Sequence, residues 1–160
     1  MRQLLSGMSA LLFFTLLFTS CSDDEVPATT FLDTATVWEG SNITFSKEAG
    51  ADPALEANQD RITDNVWITR GDEGQIYNAK TEDSASKTDS PAGTSWAVGT
   101  LDQANDLTFT SFREAVVNPK TAVDRDLLMY LEDDNILISV KITSWDQNKQ
   151  GGFTYERSTP

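Results

Sequence analysis

The sequence predicts an all-β fold, an antiparallel β-sandwich of jelly-roll-like character, over residues 31–160. Two observations carry that expectation. Ile136, Ile138, Val140 and Ile142 fall on one face of a strand while Leu137, Ser139, Lys141 and Thr143 fall on the other, the period of two that a pleated backbone imposes. Elsewhere, short runs rich in β-formers recur between clusters of Gly, Asp, Asn and Ser, residues that turn a chain by tolerating left-handed backbone or bonding to it locally.

Each element follows from the same reasoning. Val37-Trp38-Glu39 and Ile43-Thr44-Phe45 alternate on either side of Gly40-Ser41, which predicts a hairpin with a II′-type turn. Residues 48–60, with Gly50, Pro53 and Ala54-Leu55-Glu56-Ala57, read as a loop holding one helical turn. Val66–Arg70 predicts a strand, Gly71-Asp72-Glu73-Gly74 its turn, and Gln75–Asn78 the returning strand. Residues 79–95 contain almost nothing apolar and predict a long exposed loop. Strand composition resumes at Trp96–Gly99 and Leu107–Thr110, and residues 112–117 fit either a strand or a short helix. Asn118-Pro119 breaks the chain there. Leu127–Leu131 and Ile136–Ile142 form the clearest pair, joined by the turn Glu132–Asn135; Trp145 ends the second strand. A loop over residues 146–152 leads to the last strand, where Phe153 and Tyr155 alternate with Thr154 and Glu156.

The N-terminus reads differently. Arg2 precedes a nearly unbroken apolar run from Leu4 to Phe18, followed by small Thr19 and Ser20 and then Cys21, the only cysteine. About fifteen residues are short of the ~20 that span a bilayer, and the order is that of a cleaved secretory signal. Phe18-Thr19-Ser20-Cys21 resembles the lipobox of bacterial lipoproteins, with Phe18 where Leu is usual. The resemblance implies removal of residues 1–20 and attachment of acyl chains to Cys21, an anchor in the membrane. Ser22-Asp23-Asp24-Glu25 resembles the acidic export signal of Bacteroidota surface lipoproteins, which implies an outer-membrane, lipid-anchored protein exposed at the cell surface. Residues 21–30 then form an acidic tether and residues 31–160 a single domain. Val66–Gly71, Ser90–Trp96 and Phe153–Thr159 resemble segments of a domain without assigned activity that recurs in secreted bacterial proteins, covering residues 60–160.

Composition excludes several functions. Of 12 basic and 25 acidic residues only Arg2 lies in residues 1–20, so the processed chain carries 11 against 25, net −14. That charge repels phosphate backbones, so no nucleic-acid partner is expected. With no histidine and its one thiol acylated, the chain has no Ser-His-Asp triad, no His-ligated zinc and no thiolate nucleophile. It also lacks a glycine-rich phosphate loop, and no cofactor is implied.

The candidate sites are therefore few. Trp145, Tyr77 and Tyr155 are the aromatics named for a ligand, because the apolar faces of sugar rings stack on such side chains; Trp67 and Trp96 are assigned to the core. Asp60, Asp64 and Asn65 could supply oxygen ligands to Ca2+, though their spacing matches no EF-hand and Asp and Asn favour turns without a metal. Thr34 and Ser84 follow aspartate and precede alanine, resembling the O-glycosylation acceptor of Bacteroidota. The function these features favour is a non-catalytic module binding an extracellular glycan or protein through loops at one end of the sandwich. The alternatives are a glycosidase-like hydrolase, whose two carboxylates would stand ~5–9.5 Å apart, and a structural subunit of an outer-membrane assembly.

Overall fold

A computed structural model describes residues 30–160. The expected signal peptide, Cys21, the expected export signal at Ser22–Glu25 and all but the last residue of the expected tether lie outside the described residues.

The fold is predominantly β and sandwich-like, with two sheets. Its centre is the predicted pair, β7 (Asp126–Leu131) and β8 (Ile136–Trp145), joined through Asn135, whose φ of 52° supplies the left-handed position that turns the chain. Because β8 runs for ten residues, it outreaches any one neighbour. Along one edge it pairs β7; along the other, β1 (Thr36–Trp38) runs parallel to Ile136–Ile138 and β9 (Phe153–Arg157) runs antiparallel to Val140–Trp145. β6 (Thr94–Val98) extends the sheet beyond β7, and β2 (Ile43–Lys47) extends it beyond β9. The strand order follows the chain from β6 to β9, a meander rather than the paired Greek keys of a jelly roll.

The expected hairpin at Gly40-Ser41 does not form: β1 pairs β8 and β2 pairs β9. Gly40 donates its N–H to the carbonyl of Thr159 at 2.8 Å, and a Cβ there would collide with the carbonyl of Pro160. The glycine serves a close approach to the C-terminus, not a turn.

The second sheet holds β3 (Asp60–Arg61), β4 (Trp67–Arg70) and β5 (Ile76–Asn78), all antiparallel. Alternation turns Ile68 and Ile76 inward, where they meet Leu127, Met129, Ile138, Val140 and Ile142 of the large sheet. These side chains are at most 4% exposed, and each contributes about 1.5–3 kcal/mol by leaving water. An aromatic series continues the core: Trp96 and Phe112 are 4.9 Å apart, Phe112 and Trp145 6.2 Å, Trp145 and Phe153 6.2 Å.

The opposite face of the large sheet is covered too. Leu128 and Leu137 lie beneath a satellite cluster made by α1 (Phe31–Thr34), Val37, Leu101, Leu107 and Phe109. Phe31 is 5.0 Å from Phe109 and 4.9 Å from Tyr130.

The connections are more ordered than their composition predicts. In the 79–93 segment, Glu82 accepts from the N–H groups of Asn78 and Ala92, both at 2.8 Å, and the Gln75 amide donates to the carbonyls of Ser86 and Asp89. Of the strand expected at Leu107–Thr110, only Thr110 bridges, to Trp96. Residues 112–117 resolve as helix α2 (Phe112–Val116), capped by the Ser111 hydroxyl and ended by Val117 at a φ of 64°.

Candidate functional site

Three loops meet at the end of the sandwich where β8 finishes. They are the β4–β5 turn (residues 71–74), the segment from α2 through Asn118-Pro119-Lys120, and the β8–β9 loop (residues 146–149). Between them lies an open groove of about 390 Å3, within the ~300–1,000 Å3 usual for small-molecule sites. Glycine lets two of these loops touch. Gly151 sits at a φ of 69°, and a Cβ there would stand 2.7 Å from the carbonyl of Gly71.

A β-bulge sets the floor. Between Ile142 and Ser144 the register with β9 shifts by one residue, so Thr143 is extra. The shift turns Trp145 onto the core face, against Phe112 and Phe153, although strand parity alone would place it opposite. Trp145 is 9% exposed, and the Arg70 guanidinium lies over its ring at 3.9 Å from the centroid. Sequence reasoning named Trp145 for stacking; the residue does line the groove, but the guanidinium covers it.

Arg70 points inward because Ile68 does, two residues before it on β4. It is 4% exposed and donates to three carbonyls: Gly152 at 2.7 Å, Asp146 at 3.0 Å and Gly74 at 3.3 Å. No carboxylate lies within 4 Å of it among the described residues. Burial loosens its proton, and the Asp146 charge opposes that. Around it stand Arg113, Lys120 and Lys149, so the groove holds four basic and three acidic side chains in a chain where acids outnumber bases two to one. One acid is already neutralised: Glu73 takes a 2.6 Å hydrogen bond from Lys149, which holds its carboxyl below the usual range.

A second groove, of about 320 Å3, runs over the outer face of the small sheet. Trp67 and Tyr77 line it from adjacent strands, with Gln59, Arg61, Glu82 and Asp83 around them. Trp67 was expected in the core; it is half-buried and outward, since Ile68 takes the inward position. Arg61 and Lys80 stand 4.1 and 4.6 Å from its ring centroid. The polar groups here are largely engaged: Arg61 bonds Gln59 and Glu56, and Glu82 holds the loop base. Tyr77 is 4% exposed, and burial with the charges of Asp52, Asp83 and Glu82 raises its pKa.

Tyr155 offers no stacking surface. It is 3% exposed, and its hydroxyl donates to Asp60 at 2.5 Å. Arg157 closes the same carboxylate from the side, Nε to Oδ2 at 2.7 Å and Nη2 to Oδ1 at 2.9 Å. The Ca2+ trio is not assembled either, because both oxygens of Asp60 face a guanidinium that would repel a cation. Asn65 donates its amide to Asp134, and Asp64 is exposed. Among the described residues, no group of three or more His, Cys, Asp or Glu is placed to hold a metal ion. Thr34 and Ser84 are both exposed, and the Thr34 hydroxyl donates to the carbonyl of Phe31.

Arg70, Arg113 and Lys120 escaped sequence reasoning. Twelve basic residues scattered among 25 acids give no local signal; only the fold brings these together. No family model, no curated protein and no solved structure matches the chain.

Proposed function

We propose that this chain is a surface-exposed outer-membrane lipoprotein, anchored through acyl chains on Cys21, whose β domain is a non-catalytic module that binds an extracellular ligand, a glycan first. The observation that carries this reading is the convergence of three loops from different elements on one open, polar groove at the end of the sandwich. Loops held by a rigid sheet are the usual place for recognition. Among the described residues, the side-chain amides of Gln147 and Asn148 bond nothing in the chain and line that groove; each offers a donor and an acceptor to a hydroxyl.

A hydrolase has less support. A general acid needs its proton held near neutral pH, and Glu73 at the groove is shifted the other way by Lys149.

The test is a screen of the full chain in detergent against glycans and matrix proteins. Binding is expected, and it is expected to weaken when Gln147 and Asn148 are both changed to Ala. Absence of any binding at millimolar ligand would overturn the reading. Mass spectrometry of the processed chain reads the anchor independently: an acylated Cys21 at the new N-terminus is expected, and the same spectrum reports glycans at Thr34 and Ser84.

A further inference from the structure

The geometry points to an acidic saccharide as the occupant of the loop-end groove, one whose ring hydroxyls accompany a carboxylate or a sulfate. This rests on the groove being the binding site proposed above.

Charge placement is the first ground. Randomly mixed, this chain would give any site about twice as many acids as bases; the groove instead holds four bases and three acids. Two of its cations are also uncommitted. Arg113 projects from α2 and Lys120 from the turn after Pro119, both exposed, and neither has a carboxylate within 4 Å among the described residues. Lys149 pairs with one of the groove's three acids, Glu73. Behind them, the Arg70 guanidinium is buried with carbonyls as its hydrogen-bond partners and makes no ion pair among the described residues, so its charge is opposed only at longer range, by Asp146. A forked guanidinium and an ammonium are the groups that meet carboxylate and sulfate oxygens.

The lining then favours a saccharide over an acidic protein. Protein interfaces rest on aromatic or aliphatic anchors in desolvated pockets. Here the one aromatic is covered by Arg70 and only 9% exposed. What the groove presents beside its cations is amide: Gln147 and Asn148 can each give and take a hydrogen bond, which suits a ring of hydroxyls.

Isothermal titration of the full chain in detergent decides it, with four probes of matched length: oligogalacturonate, sulfated dextran, neutral dextran and polyglutamate. One or both acidic saccharides should bind at least about tenfold more tightly than neutral dextran and polyglutamate; which one binds identifies carboxylate or sulfate. Arg113→Glu with Lys120→Glu should reduce that binding by about tenfold or more, while Glu73→Gln, which frees Lys149, should strengthen it a few-fold. Both reversed residues are exposed, so thermal unfolding should be unchanged and serves as the folding control. Neutral dextran binding as tightly as the acidic saccharides, and depending on Gln147 and Asn148, would overturn the acidic ligand while leaving the groove as the site. Acidic-saccharide binding that survives the charge reversal would remove the groove itself. Polyglutamate binding as tightly as the saccharides would identify a site for acidic protein, and binding of none of the four would overturn the inference.

Discussion

The two ends of the inter-sheet space both bury an arginine, and they treat it in opposite ways. At one end Arg157 meets Asp60 through two hydrogen bonds, and Tyr155 completes the carboxylate. Asp60 belongs to the small sheet and Arg157 to the large one, so this closed set of charges ties the layers together. At the other end Arg70 bonds three carbonyls and covers the Trp145 ring, with no ion pair among the described residues. Lys47, 2% exposed beside Phe153 on β2, reaches the carbonyls of Gly151 and Glu48 at 3.4 and 3.5 Å. A neutralised end is finished as structure. An end left with excess positive charge is stable only at some cost, and that is the end where the loops open.

The largest effect expected is at the closed end. Asp60→Ala leaves the Arg157 guanidinium buried without its partner and should cost about 3–5 kcal/mol, read as a fall in the denaturation midpoint in urea. A loss under 1 kcal/mol would show that the pair does not hold the sheets. Next, Arg70→Met should cost about 1–3 kcal/mol, because it strands three carbonyls and uncovers Trp145. Equal losses for the two variants would erase the distinction between the ends.

High pH tests the closed end without mutation. Burial, and then the charge of Asp60, raise the Tyr155 pKa well above 10.0. The folded pKa exceeds the unfolded one, so the stabilisation is complete below pH 10 and is lost as pH rises through the folded value. Stability measured from pH 8 to 11 should therefore fall at the alkaline end, and the fall should shrink in Tyr155→Phe. The smallest effect belongs to Lys47. Burial, with the Arg70 charge adding to it, lowers its pKa against the pull of Asp72. Lys47→Met should be neutral or stabilising by about 1 kcal/mol; a clear loss would mean that the ammonium is held better than its long contacts indicate.

Legibility in the sequence followed locality. β7, β8, β9, β4 and β5 could be read because alternation and turn residues are local, and each lies within a residue or two of its expected place. The parallel pairing of β1 could not, since Val37 alternates identically whether its partner is β2 or β8. Gly40 misled because a glycine needed for a close approach looks like a glycine needed for a turn. The bulge did leave a trace. Thr143 and Ser144 are consecutive polar residues between Ile142 and Trp145, a spacing of three that breaks the period of two. The groove left none, because its cations come from segments far apart in the chain.

The parallel pairing of β1 also orients the molecule. The described chain starts at Thr30, and α1 leads into β1 beside Ile136, the first residue of β8. The groove floor is Trp145, the last residue of β8. Nine steps of strand, at ~3.3 Å each, separate the two by roughly 30 Å. Under the anchor proposed at Cys21, the chain enters the domain at one pole and the groove opens at the other. On that proposal, tethering would place the groove at the pole away from the lipid.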